Sequence, residues 1–297
     1  MHTTFGPCRS DQLAKVVSML DNEFVAKRGR TISVARRYPE AFSISNLLHI
    51  HLAMVGETIV SIAVAKPFSY AVADRVLHAA MIGFVWTRVE WRGRGLATNV
   101  LRNLVGLLAE EDLGFAVLWS TQPSFYDRLG WVVKDTSLYG RARGSRETAL
   151  GINRLDTMPA AVTWDRIERL RERAFGERVI RSQESYTGLP LPAKEVTAIF
   201  AQDHDEEGFA LVGYEGGNAY LYEWSGSPAI LQDLWDELRR TCSTFFVNER
   251  ADSPSGRWLT ENTGIDLRRQ ELAMWLQLSR TTPSVDLPDH IPYFDRL

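Results

Sequence analysis

The hydrophobic pattern of the N-terminal half changes from helical to strand-like spacing. After the cap residues Ser10 and Asp11, apolar residues recur at intervals of three and four, which predicts a helix that runs to Phe24. A second, short helix is predicted over 34–37, before Pro39. The period then changes, and segments rich in Ile, Val and Ala predict three neighbouring antiparallel strands at 47–54, 57–64 and 78–87.

A turn rich in glycine and arginine follows the third predicted strand. It reads Arg92-Gly93-Arg94-Gly95, and apolar residues at helical spacing follow it from Leu96 to Leu108. The segment is therefore predicted to run from a strand through a turn into a helix. Beyond it, the pattern predicts a buried strand at 115–119, a short helix at 124–129, a further strand at 131–139 and the start of a linker at 141–145.

The second half repeats the order of helix first and sheet later. The pattern predicts helices at 164–175 and 230–240, a hairpin formed by 208–214 and 219–224, and two last strands at 244–247 and 271–278. Its sequence contains no second turn of the glycine and arginine type. Three prolines beyond residue 281 predict an irregular C-terminal tail.

The length and composition favour two globular domains. The chain has 297 residues, and a domain typically has about 150. Apolar residues make up 45% and charged residues 24%, which is a globular balance that can bury a sizeable core. We expect a first domain at 1–147, a second at 148–281 and the tail at 282–297.

The charge is divided unevenly between the halves. The net charge of −3 argues against general affinity for nucleic acid. Residues 1–147 hold 18 Lys and Arg against 13 Asp and Glu, whereas residues 148–297 hold 16 against 24. An anionic ligand is therefore expected to favour the first half, and a cationic ligand the second.

The sequence also restricts location and cysteine chemistry. No stretch approaches the roughly 18–20 consecutive apolar residues of a membrane span, and the first residues do not resemble a secretory leader. We expect no membrane association and a cytoplasmic protein. Cys8 and Cys242 are too few and too isolated for a disulfide framework or a thiolate zinc site.

Three phosphate-binding motifs are candidates for the turn, and their spacing separates them. The Walker pattern requires Gly-Lys-Ser/Thr, which the turn lacks. The dinucleotide fingerprint requires a glycine where Thr98 stands and a parallel strand unit, whereas the preceding strands are predicted to be antiparallel. The third pattern, Arg/Gln-x-x-Gly-x-Gly/Ala, is filled by Arg92, Gly95 and Ala97. Such a turn points unpaired backbone N–H groups at an anion, so it predicts a phosphate site.

With this pattern between a strand and a helix, the first half resembles the GNAT acetyltransferase superfamily. The segment Phe125-Tyr126-Asp127-Arg128-Leu129-Gly130-Trp131 is similar to the family's Phe-Tyr-x-x-x-Gly-aromatic segment, and it follows the loop at about the expected distance. More weakly, 36–39 and 273–276 resemble the enhanced-intracellular-survival group of tandem acetyltransferases. This resemblance implies an α/β (α+β) fold of two tandem GNAT-like domains, each a mixed, mostly antiparallel sheet flanked by helices, the second degenerate. The chain is too short for the third, sterol-carrier-like domain of that group.

The resemblance implies acetyl-CoA as the cosubstrate and assigns residues to it. The pantetheine arm would pair with backbone groups of Val85, Trp86 and Thr87, where two strands separate. The pyrophosphate would be bound by the loop and the first helical turn, namely Arg92, Gly93, Arg94, Gly95, Leu96, Ala97 and Thr98. Ordinary strand packing is the alternative interpretation for the strand residues.

Tyr126 is the expected catalytic acid, because a phenol can protonate the thiolate that leaves when an amine attacks a thioester. The alternative is an aromatic side chain that only packs on the loop. The general base is open: Met81 stands where some family members have a glutamate, and His78 and Glu23 are candidates. The C-terminal carboxylate of Leu297 is a third candidate, through the resemblance.

Two functions remain open at this stage. One is an N-acetyltransferase that acetylates a primary amine in a ternary complex. Its acceptor would be a small molecule or a peptide, such as an aminoglycoside-like or polyamine-like molecule or a lysine side chain. The other is a non-catalytic module that binds or senses acyl-CoA.

His49 and His51 share a strand face in the predicted pattern, but no third ligand is identifiable, so no metal site is expected. Association of identical chains is compatible with the sequence.

Overall fold

The computed structural model describes residues 2–145, 155–278 and 287–297. In chain order its strands are β1 (Thr3–Pro7), β2 (Ile50–Val55), β3 (Thr58–Val72), β4 (Arg75–Thr87), β5 (Phe115–Trp119), β6 (Val132–Val133), β7 (Ser137–Arg143), β8 (Asp156–Pro159), β9 (Glu177–Ile180), β10 (Glu195–Asp203), β11 (Glu206–Glu215), β12 (Asn218–Ser225), β13 (Thr244–Arg250), β14 (Leu267–Arg269) and β15 (Ala273–Gln277). Its α-helices are α1 (Ser10–Phe24), α2 (Val34–Arg37), α3 (Leu96–Glu110), α4 (Pro123–Asp127), α5 (Trp164–Ala174), α6 (Pro228–Thr241) and α7 (Pro254–Asn262). Among the described helices, none is long and apolar enough to cross a membrane.

The chain forms two compact units. The first comprises Met1–Lys134, Leu272–Pro288 and Leu297, and the second comprises Asp135–Glu271 and Asp289–Arg296. Each unit is built on its own mixed, mostly antiparallel sheet flanked by helices, as expected for the fold class.

These units divide the chain differently from the expected domains. The expected junction between residues 147 and 148 lies outside the described residues. Strand β7 belongs to the second unit, because it pairs with β13 and β14. Strand β15 belongs to the first, because it pairs with β5 and β6. The second unit is therefore inserted between segments of the first.

The predicted strand at 131–139 is wrong, because it is two strands in different units. Val132–Val133 pairs within the first unit and Ser137–Arg143 within the second. The predicted linker start at 141–145 is likewise mainly strand, since β7 continues to Arg143. The predicted strand at 47–54 starts only at Ile50, after a 3-10 turn.

The first unit places α3 on one face of its sheet and α1 with α2 on the other. The strand order is β1-β2-β3-β4-β5-β15-β6, and along this order β4 and β5 are the parallel pair in the part of the chain that the structure describes. Helix α1 begins after Arg9, whose N–H donates to Oε1 of Gln12, one residue before the predicted cap. Helix α3 buries five apolar side chains on the sheet, namely Leu96, Val100, Leu101, Leu104 and Leu108. Burial of each contributes about 1.5–3 kcal/mol.

The second unit repeats this plan with different details. Its strand order is β14-β7-β13-β12-β11-β10-β8, with β12 and β13 as the parallel pair. Helices α6 and α7 pack on one face around Trp224, Trp235 and Trp258. On the other face, Ile167 and Leu170 of α5 pack in a separate apolar cluster.

Candidate functional site

The glycine and arginine turn forms an open loop at the start of α3. Gly93 and Gly95 have φ values of +74° and +72°, which favour glycine because a side chain is strained there. Apart from the glycine itself and its two chain neighbours, no described residue has an atom within 4 Å of the position that a Cβ would take at either glycine. Helix α3 begins directly after Gly95, so its first backbone N–H groups have no partner within the helix. The loop therefore has the geometry of an anion site at a helix N-terminus.

Both arginines of the loop are attached to the loop backbone. Arg92 Nε donates to the carbonyl of Thr87 at 3.1 Å. Arg94 Nη2 donates to the carbonyl of Glu90 at 3.2 Å, and its guanidinium lies 4.7 Å from the centre of the Trp91 ring. These contacts hold two positive charges beside the first backbone N–H groups of α3, which have no partner within the helix.

Strands β4 and β5 separate just before the loop. They pair in parallel from Ala79 with Phe115 to Met81 with Val117, and the described residues give no further pairs between them. The remainder of β4 therefore presents backbone groups on this edge that are available to another extended chain. Val85, Trp86 and Thr87 lie in this part of β4.

A β-bulge distorts β4 at the same level. Ile62 of β3 pairs with Trp86 and Val64 pairs with Gly83, so Phe84 and Val85 together oppose Ala63. Phe84 has a φ of +52°, a strained value for a residue with a side chain. Bulges with such strain often lie beside active sites because they redirect side chains.

The Phe84 ring lies in an aromatic cluster on the α1 side of the sheet. The rings of Phe24, Tyr38 and Phe42 meet it edge to face, with centroids 5.2–5.6 Å away. Trp86 belongs to the same apolar group. Below the bulge, the buried Ser61 hydroxyl donates to the carbonyl of Trp86 at 2.9 Å. The sequence does not indicate this hydrogen bond, because a single serine in an apolar strand belongs to no recognisable motif.

Tyr126 lies on α4 and packs against the α3 cluster. Its ring meets Phe125 and Trp131 at 4.9 and 6.2 Å. Burial raises the pKa of Tyr126 to about 12. The phenol therefore keeps its proton at neutral pH, and burial also makes it a weaker acid than a free phenol.

The three expected base residues have different surroundings. Glu23 accepts a hydrogen bond from Lys27 at 2.8 Å, which lowers the pKa of its carboxyl group; Trp86 and Arg92 also lower it. His78 lies near the opposite end of β4 from the loop, with Nδ1 3.2 Å from the hydroxyl of Ser69. Seven residues of strand separate it from Val85, a span of roughly 23 Å. The structure therefore does not bring His78 to the loop.

Leu297 lies directly on β4. A Cβ placed on Gly83 would be 3.0 Å from Cγ of Leu297 and 3.2 Å from its main-chain oxygen. Gly83 is two residues beyond Met81, where the parallel pairing ends, and Met81 itself is fully buried. The structure thus brings Leu297 to the bulge. The sequence alone does not distinguish Gly83, since a single glycine in a strand has several explanations.

No cluster of three or more metal-ligating side chains is present in the described part of the chain. His49 and His51 do not form a pair of ligands. His49 bonds through Nδ1 to Asn46 Oδ1 at 3.0 Å and through Nε2 to Glu111 at 2.8 Å, while His51 is buried in β2.

Comparisons with known proteins agree with this geometry. Residues 6–133 match the acetyltransferase (GNAT) domain family. A comparison with curated proteins gives no match. Among solved structures, the chain is similar to a GCN5-related N-acetyltransferase from Kribbella flavida, with 17% identity, a TM-score of 0.71, and coverage of 93% of this chain and 72% of that one.

Two further structures share the fold. A GCN5-related N-acetyltransferase from Anabaena variabilis has 14% identity and a TM-score of 0.73, with 93% of this chain and 73% of that chain covered. Eis1 from Mycobacterium abscessus has 14% identity and a TM-score of 0.63, with 93% and 74% covered. At these identities the structures establish the fold, including its second sheet.

Proposed function

We propose that this chain, whose residues 6–133 match the acetyltransferase (GNAT) domain family, moves an acetyl group from acetyl-CoA to a primary amine. The observation that carries the proposal is the open loop at Gly93 and Gly95, placed beside the point where β4 and β5 separate. A helix N-terminus suits a pyrophosphate, and a free strand edge suits the amide-containing pantetheine arm.

In this proposal the cofactor lies along β4 and ends at the loop. The N–H groups of residues 93–98 bind the pyrophosphate, and Arg92 and Arg94 add positive charge. The pantetheine arm pairs with backbone groups of Val85, Trp86 and Thr87. Beyond Val85 the arm continues along β4 away from the loop, so its thioester end is expected at the level of Gly83, two residues further along the strand.

The reaction is direct attack within a ternary complex. The base first takes one proton from the cationic amine and releases it to water, which frees the lone pair of the nitrogen. The neutral amine nitrogen then forms a bond to the thioester carbonyl carbon, and the carbon–sulfur bond breaks with its electron pair on sulfur. Tyr126 gives its phenolic proton to the leaving thiolate, and the nitrogen gives up a proton to a base. Once that proton returns to the phenolate, the products are an amide and CoA with a free thiol.

Leu297 is the proposed base, through its main-chain carboxyl group. Its main-chain oxygen lies next to Gly83, at the level expected for the thioester. Glu23 is the second candidate, but the Lys27 ammonium already occupies its carboxylate. His78 is disfavoured by its distance along β4. The acceptor class remains a cationic amine, which the excess of acidic residues in 148–297 suits.

Calorimetric titration with acetyl-CoA, followed by an assay of thiol release with amines, tests the function. We expect the intact chain to bind one equivalent, and Arg94→Ala and Gly95→Trp to weaken binding. Arg102→Ala, an exposed arginine on the same helix, is the matched control and should bind normally. Absence of binding to the intact chain would refute the proposal. Binding without turnover of any amine would favour the non-catalytic acyl-CoA module.

A further inference from the structure

Gly83 is a glycine because another segment occupies the space of its side chain. It does not have a positive φ, so its backbone conformation does not require glycine. A Cβ there would lie 3.0 Å from Cγ of Leu297, closer than real Cβ atoms normally approach a neighbour. Among the described glycines of the first unit, none is approached as closely by another segment. The absence of a side chain on Gly83 therefore leaves the space that Leu297 occupies.

The atom of Leu297 nearest to the position of a Cβ on Gly83 belongs to its side chain. The leucine also packs in the apolar group that contains Phe84 and Trp86. The surface beside Gly83 is therefore formed by the main-chain oxygen of Leu297 and by its branched apolar side chain, which neighbours hold in place.

This contact lies at the level where the proposed function puts the acyl group. The parallel pairing of β4 and β5 ends at Met81 and Val117, and the thioester is expected at Gly83. An acyl chain that extends beyond the thioester carbonyl would then meet the isobutyl group of Leu297 on one side. On the other side it would meet the fully buried Met81 and Val117.

We propose that the Leu297 side chain, seated on Gly83, limits the acyl group that this chain transfers to two or three carbons. The inference rests on the proposed function and adds the donor class: short-chain acyl-CoA. It concerns the side chain of Leu297 and is separate from the proposed role of its carboxyl group. Replacing the side chain leaves that carboxyl group in place, so the two roles are experimentally separable.

The test compares kcat/KM for acetyl-, propionyl-, butyryl- and hexanoyl-CoA with one amine acceptor. The wild type should strongly prefer acetyl and propionyl. Leu297→Ala should raise the ratio of butyryl to acetyl transfer by about tenfold or more, since one methylene in a tight pocket changes kcat/KM by roughly 10–200-fold. Leu297→Met, of similar volume, should keep the wild-type ratio. Leu48→Ala, at an exposed leucine, is the remote control.

The outcomes separate the two proposals. An unchanged ratio in Leu297→Ala, or a wild type that uses hexanoyl-CoA as well as acetyl-CoA, would overturn the size limit and leave the acetyltransferase function intact. A wild type that transfers no acyl group would instead overturn the proposed function. Leu297→Val, a smaller change with a smaller expected shift, takes the place of Leu297→Ala if thermal unfolding shows that the alanine variant is misfolded.

Discussion

Arg181 donates to both carboxylate oxygens of Asp295, at 2.7 and 2.8 Å, and both side chains are closed to solvent. The same guanidinium donates to Glu223 at 2.8 Å, and Glu223 also accepts from the fully buried Arg171. This network lies within the second unit and includes the segment Asp289–Arg296. Removing Asp295 takes away one of the two carboxylate partners of the buried Arg181 and leaves it to share Glu223 with Arg171.

We therefore expect Asp295→Ala to destabilise the second unit by about 3–5 kcal/mol. Urea denaturation of the full chain measures this loss. The matched control is Asp266→Ala, which removes the partner of Arg268 in an exposed pair and should change the free energy of unfolding by about 0.5 kcal/mol or less. Equal changes in the free energy of unfolding from the two substitutions would show that the buried network does not stabilise the segment Asp289–Arg296.

Glu249 is a buried carboxyl group whose charge opposes folding. Burial raises its pKa from 4.5 to about 7, although Arg250 N–H, Ser253 and Ser255 donate to it and favour the charged form. Because the pKa is higher in the folded state, the folded chain binds more protons than the unfolded chain between about pH 4.5 and 7. The contribution of Glu249 to stability is therefore present at pH 4.5 and lost as the pH rises through 7.

Glu249→Gln should remove this dependence. Relative to the wild type, its free energy of unfolding should rise from pH 5 to pH 8 by up to about 3 kcal/mol. Urea titrations at several pH values measure the difference between the two chains. Glu261→Gln, at an exposed glutamate on α7, should run parallel to the wild type. If Glu249→Gln also ran parallel, the carboxyl group would not titrate in this range.

The sequence pattern was most informative where periodicity is strong. It located α1, α3, α6 and the β11–β12 hairpin closely. It ended the second strand at Val64, whereas β3 continues through Pro67 to Val72. Pairing with β2 ends where Ile50 meets Val64, so the missing N–H of Pro67 interrupts no bond of that ladder. Which neighbour a strand has at each residue cannot be read from one strand alone.

The glycine and arginine loop was predictable from the sequence, but the arrangement around the bulge was not. The loop depends on glycines at fixed spacing, which are visible in the chain. The bulge at Phe84 depends on the pairing register of β3 and β4. The contact of Leu297 with Gly83 joins residues more than 200 positions apart in the sequence. Neither leaves a periodic signal.

The second unit should bind no CoA of its own. Its counterpart of the loop, Ser225-Gly226-Ser227, precedes α6, but the position of a Cβ on Gly226 lies 2.8 Å from Cβ of Ile230. Pro228 at the start of α6 also removes an N–H donor. In a calorimetric titration we expect one equivalent of acetyl-CoA per chain, and none for Gly95→Val, which strains a left-handed position. A second equivalent, or one that survives in Gly95→Val, would place a site outside the loop.

Tyr126→Phe tests the proposed acid without altering the shape of its surroundings. The ring contacts with Phe125 and Trp131 remain, so acetyl-CoA affinity should stay within about twofold of the wild type. Loss of the proton donor should lower kcat by about 100-fold or more.

The pH profile adds a second check on this residue. The pKa of Tyr126 is raised to about 12, so ionisation of its phenol should not limit the wild-type rate between pH 7 and 10. Tyr214→Phe is the matched control, because burial also raises the pKa of Tyr214 to about 12 and this residue lies in the second unit. Its turnover should equal that of the wild type. If Tyr126→Phe also kept full turnover, the thiolate would have to acquire its proton from water, and Tyr126 would only pack beside the loop.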